Sequence, residues 1–155
     1  MIKFKIISSL ILLILITNCG YKTINLNENF KITEVNTKGD KNINFKLKTR
    51  LIDISKDEKK NSIRLFLNTK KKRTIGEKNI KNQTTKYNIL IKTDVEYFYE
   101  DQNIKGAFTI SRSADYESFA IYSNTLDAEK ETIDNLIIEL AKQIKFELLN
   151  KFNDL

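Results

Sequence analysis

Cys19 and the run Lys70-Lys71-Lys72-Arg73 are the side chains of this sequence best placed, by type and spacing, to do chemistry. Cys19 is the one cysteine in 155 residues, so it has no partner for an intramolecular bridge. It falls directly behind an apolar stretch, where a thiol is open to acylation. The four consecutive cations, with Lys78, Lys81 and Lys86 nearby, form a potential phosphate clamp, because ammonium and guanidinium groups make charge-assisted bonds to phosphate oxygens. The same run also reads as lysines that keep an edge strand soluble, a commoner use that needs no ligand. The sequence leaves both readings open.

Other chemistry is scarce. Histidine is absent, which removes the commonest metal ligand and the side chain best suited to proton transfer near neutral pH. Nucleophile and base would have to be a Ser-Lys or Thr-amine pair, and S-x-x-K with its companion motifs is missing. The four glycines are isolated, so no phosphate loop forms. Glu100-Asp101 and Asp57-Glu58 fall at an expected turn and an expected helix end, where carboxylates are solvated. No enzymatic activity, cofactor or metal is expected. Tyr87, Tyr97 and Tyr99 resemble a base-stacking platform, but they share an apolar stripe, which suits a core or an interface better.

The leader sets the compartment. MIKFK is basic, IISSLILLILIT is apolar, and NCGYK is polar, the layout of an export signal. As a helix, Ile6 to Thr17 spans about 18 Å, against about 30 Å of bilayer hydrocarbon. That is short for a transmembrane span, and an uncleaved signal anchor is the alternative. Ile16-Thr17-Asn18-Cys19 resembles the lipobox at which bacterial lipoproteins are diacylated and cleaved. Each buried acyl methylene contributes about 0.8 kcal/mol, so two or more chains hold a protein on a bilayer without crossing it. Gly20 stands where Asp would favour inner-membrane retention, which points to the outer membrane. The expected organisation is a signal peptide over 1–18, a lipidated tether over 19–28 and one domain over 29–155.

The elements that must carry the basic run emerge from periodicity. Phe30 to Val35 alternates as a strand, and Gly39-Asp40 ends it, with Asp40 free to cap a helix directly after it. Ile43, Leu47, Leu51 and Ile54 recur at helical spacing within Asn42 to Lys59. Period two returns from Ile63 to about Ile75, whose far end is the basic run, and a polar loop over Asn79 to Lys86 is expected next.

Tyr87, Ile89, Ile91, Thr93, Val95, Tyr97 and Tyr99 alternate most clearly. A turn at Asp101-Gln102 pairs Tyr99 with Ile104, Tyr97 with Gly106, Val95 with Phe108 and Thr93 with Ile110, apolar against apolar. Tyr116 to Tyr122 reads as an irregular or short extended piece. Asn124 or Thr125 then caps a long helix, whose stripe is Ile133, Leu136, Ile137, Leu140, Ala141, Ile144 and Leu148. The expected fold is α+β: a two-layer sandwich with a mainly antiparallel four-stranded sheet and two helices on one face, in the order β-α-β-β-β-α.

The lipobox-like segment leading into Cys19-Gly20-Tyr21, this element order, and Phe119-Ala120-Ile121-Tyr122-Ser123-Asn124 leading into Asp127-Ala128-Glu129 and a terminal helix resemble the LptE family of lipopolysaccharide-assembly lipoproteins. The resemblance runs over nearly the whole mature chain and lies in element order more than in any signature. It implies an outer-membrane lipoprotein that plugs the lumen of the β-barrel LptD and binds lipopolysaccharide. Lipid A phosphates would then be the anions for Lys70, Lys71, Lys72 and Arg73. The alternative is a solitary periplasmic-facing binding module for a small ligand or peptide. A nucleic-acid role rests on the basic run alone, and export leaves it without a substrate.

Overall fold

The computed structural model describes residues 30–55, 62–101 and 103–153. The leader, Cys19, the tether and Asp57-Glu58 lie outside them. The elements run β1 (Lys31–Gly39), α1 (Lys41–Asp53), β2 (Ser62–Lys78), β3 (Thr84–Tyr99), β4 (Ile104–Glu117) and α2 (Tyr122–Asn153). The four strands form one sheet in the order β1-β2-β3-β4.

The class is α+β, and the sheet is mixed, where a mainly antiparallel one was expected. β1 pairs parallel with β2, Lys31 beside Ser62 and Gly39 beside Thr69, while β2/β3 and β3/β4 are antiparallel. The cause is α1. A parallel pair needs a crossover, and α1 carries the chain back along the sheet by about 20 Å, so β2 sets out from the end where β1 began. Asp40 caps α1 through Oδ1, which accepts from Asn42 N and Ile43 N, both at 3.1 Å. The helix closes at Asp53, earlier than its apolar spacing suggested. Lys145 Nζ donates to Ile54 O at 2.9 Å, a cation on the carbonyl end of α1.

A bulge between Ile32 and Glu34 shifts β1 by one residue. It brings Val35 onto the same buried face as Ile32, which strict alternation would forbid. The core lies between the helices and one face of the sheet. Ile63, Leu65, Leu67, Ile89, Ile91, Val95 and Ile110 meet Leu47 and Leu51 of α1 and Leu136, Ile137, Leu140, Ala141, Ile144 and Leu148 of α2. Thr69 and Thr93 are fully buried at its margin and satisfy one another, Oγ1 to Oγ1 at 3.2 Å.

The hairpins are long. β3 begins at Thr84, inside the expected loop, and β4 runs to Glu117, so the start of the segment read as irregular or briefly extended is strand. Both turns use an asparagine with positive φ, Asn82 at 60° and Asn103 at 56°. Helix α2 starts at Tyr122, ahead of Asn124 and Thr125, and at 32 residues reaches about 48 Å. Thr125 is no cap. Its Oγ1 accepts from Phe119 N at 2.8 Å and so pins the loop that enters the helix.

Candidate functional site

The strand pleat divides the basic run. In β2, Lys70 and Lys72 project on the open face of the sheet, with Arg64, Phe66 and Asn68. Lys71 and Arg73 project on the helix-bearing face, with Leu65, Leu67 and Thr69. The structure therefore brings the four cations together in sequence but not on one surface.

Arg73 is held most firmly. Its guanidinium carbon sits 3.8 Å from the centroid of the Tyr87 ring and 5.6 Å from that of Tyr116. The two rings stack, with centroids 5.5 Å apart and planes 26° from parallel. This pairing continues the Thr93–Ile110 register by three steps along the same face. Glu129, on the second turn of α2, closes the group. Its carboxylate lies 3.8 Å from Lys71 Nζ and 3.7 Å from Arg73 Nη1, and it accepts a hydrogen bond from the Tyr116 hydroxyl at 2.9 Å. Burial, and then the hydrogen bond to this carboxylate, push the Tyr116 phenol well above its ordinary pKa. Two of the four expected phosphate-binding cations thus already have a carboxylate partner.

On the open face, Lys70 stands beside Lys92 of β3, and Lys72 beside Leu90. Lys92 approaches Asp94 at 4.0 Å. Further along, Arg64 and Lys105 flank the Phe98 ring at 4.9 and 5.3 Å, and Arg64 pairs with Glu100 at 2.7 Å. Of the two acidic residues at that turn, Glu100 is thus an ion-pair partner. Asp101 accepts from Ser62 N at 3.2 Å.

The tyrosine stripe is core and flank: Tyr99 and Tyr116 are buried, and Tyr87 and Tyr97 are half-buried, with Tyr97 tilted on Phe108 at 6.2 Å. A groove of about 480 Å³ lies between the starts of α1 and α2, lined by Ile43, Phe45, Leu126 and Ile133, with Lys46, Lys71 and Lys130 at its rim. Lys46 and Asp134 bridge the two helices across it. Among the described residues no cluster of acidic or sulfur side chains is arranged to hold a metal ion, and no helix is long and apolar enough to cross a membrane.

Sequence reasoning missed Glu129 as the partner of Lys71 and Arg73. Its position in the chain carries no sign of this, because the contact depends on where α2 crosses the sheet. The Tyr87–Tyr116 stack was missed as well, although it lies on the extension of the register read from Tyr99–Ile104 to Thr93–Ile110.

No protein-family model matches the chain, and no curated protein matches it. Solved structures do. Rare lipoprotein B from Shewanella oneidensis is 13% identical with a TM-score of 0.58, over 78% of this chain and 97% of that one. An uncharacterized lipoprotein B from Nitrosomonas europaea is 14% identical with a TM-score of 0.57, over 86% and 93%. A candidate lipoprotein from Caulobacter crescentus CB15 is 14% identical with a TM-score of 0.59, over 77% and 90%. The chain shares the fold of these lipoproteins: a mixed four-stranded sheet with two helices on one face.

Proposed function

We propose that the chain is an outer-membrane lipoprotein subunit of the lipopolysaccharide-assembly translocon, anchored through Cys19. It stands as a plug inside an LptD-like β-barrel and helps lipopolysaccharide reach the outer leaflet. The observation that carries this reading is the fold shared with rare lipoprotein B over 97% of that protein, in agreement with the sequence resemblance to LptE. The geometry is compatible. Long hairpins backed by a helix of about 48 Å make a body long enough to stand in a barrel lumen. The side chains of the open face are mostly polar, as a water-filled lumen requires. The role is one of fitting and binding, with no bond chemistry of its own.

The pleat refines the ligand reading. Lys70 and Lys72 are the members of the basic run available to lipid A phosphates, while Lys71 and Arg73 are engaged by Glu129. Affinity purification of the tagged chain from detergent-solubilised envelopes should recover a large β-barrel, and recovery of the chain alone would overturn the proposal. Cys19→Ala should abolish fatty-acid labelling and release the protein from the membrane fraction.

The groove between α1 and α2 favours a second reading, a solitary binding module for a small ligand or peptide. Depletion of the protein separates the two. Loss of surface lipopolysaccharide supports the translocon subunit, and normal surface lipopolysaccharide supports the module.

A further inference from the structure

β1 stops where β2 is only half covered. Gly39, at φ 100°, turns the chain out of the sheet, and Asp40 N closes the ladder on Thr69 O at 3.0 Å. From Lys70 to Lys78, β2 keeps β3 on one side and has no strand among the described residues on the other. The direction of its backbone groups is fixed by two hydrogen bonds. Thr69 O points to the β1 side, where Asp40 N meets it, and Ser62 O points to the β3 side, where Glu100 N meets it at 3.0 Å. Backbone polar groups of one residue leave a strand on the same side and alternate along it. Lys71, Arg73 and Ile75 therefore aim their N–H and C=O at the bare edge, donors and acceptors in alternation.

We propose that this edge accepts an extended acidic polypeptide segment as a fifth strand, its carboxylates projecting on the open face against Lys70 and Lys72. The alternating donors and acceptors select a polypeptide, because a phosphate offers only acceptors. The side chains then select the sign. Lys71 and Arg73 are engaged by Glu129, which leaves Lys70 and Lys72 unpaired among the described residues, both exposed and both on one face. Strands lie about 4.8 Å apart, so an acidic residue at every second position of the incoming strand would stand directly opposite them. Against another copy of the same edge, the cations repel like with like.

The test is amide hydrogen exchange on the isotope-labelled full chain in detergent. The probe is a capped peptide with glutamate at every second position and valine or threonine between. The peptide should slow exchange at Lys71, Arg73 and Ile75 by about tenfold or more while leaving β3 unchanged. N-methylation of its edge-facing amides should abolish the effect. Lys70→Glu together with Lys72→Glu, both exposed and remote from the core, should reverse the preference toward a lysine peptide.

Three outcomes would overturn the proposal. The three amides could be protected in the chain alone, so that a segment of the chain itself fills the edge. Inorganic polyphosphate or the N-methylated peptide could act as well as the parent peptide, so that charge alone is responsible. Light scattering could show self-association, so that a second copy supplies the strand, for example the Asp115–Glu117 stretch of β4.

Discussion

The Tyr116 hydroxyl donates to Glu129 Oε2 at 2.9 Å, tying the end of β4 to the start of α2 across the short loop between them. The phenol is buried, and its pKa lies above the ordinary value of 10.0, through burial first and the hydrogen bond second. Below pH 10 the phenol is protonated in both folded and unfolded chains, and its contribution to stability is complete. As pH rises beyond 10 the unfolded chain ionises first, so that contribution drains away. Tyr116→Phe should cost about 1 kcal/mol at pH 8, the typical worth of one such hydrogen bond. The gap between the urea midpoints of the two proteins should hold up to about pH 10 and close as the pH is raised beyond it, and a gap that stays constant would show that the phenol titrates normally.

Gly39 is required by its neighbour. A Cβ built there would sit 2.0 Å from the backbone carbonyl oxygen of Thr69, at a φ of 100° that side chains avoid. Gly39→Ala should therefore destabilise the fold by about 2 kcal/mol or more, since both the strained backbone and a displaced β1–β2 ladder must be accommodated. The urea midpoint should fall while the slope of the transition is kept.

Asp40 makes the neighbouring contribution by a different means. It accepts two backbone hydrogen bonds at 3.1 Å from the first turn of α1. Asp40→Ala should cost about 1 kcal/mol, whereas Asp40→Asn, which keeps an acceptor, should cost a few tenths. Equal losses in denaturation of the two variants would mean that charge matters here more than the hydrogen bonds.

What could be read from the residues was each element's own periodicity. The β3–β4 register, Tyr99 with Ile104 through Thr93 with Ile110, is as the alternation predicts, because one wet face and one dry face permit a single pairing parity and the turn fixes the rest. The α2 stripe is buried from Leu136 to Leu148 for the corresponding reason. Strand direction is a different kind of information. Nothing in Phe30 to Val35 states that β1 runs parallel to β2, since that is decided by the length of α1 and the side of the sheet on which it returns. The candidate site shows the same division. Four adjacent cations were plain in the sequence, and their separation onto two faces is a consequence of period two once β2 is known to run through them. The capture of Lys71 and Arg73 by Glu129 depends on a residue more than fifty positions further along the chain.

That separation predicts effects of different size for residues that are neighbours in the chain. Arg73 is clamped between an aromatic pair and a carboxylate, with its side chain about two-thirds buried, so Arg73→Ala removes a cation–π contact and leaves Glu129 with one cation fewer. The expected loss is about 1 to 2 kcal/mol, the stack contributing about 0.5 to 1 and the partly buried pair the remainder. Arg73→Lys should recover only part of it, because an ammonium does not lie flat on the Tyr87 ring. Lys70→Ala with Lys72→Ala removes two exposed side chains from the open face, and should leave stability within about 0.5 kcal/mol of the parent. Should the Lys70 and Lys72 pair prove as costly as Arg73, the open face would be part of the folded core and not free to meet a ligand or a partner strand.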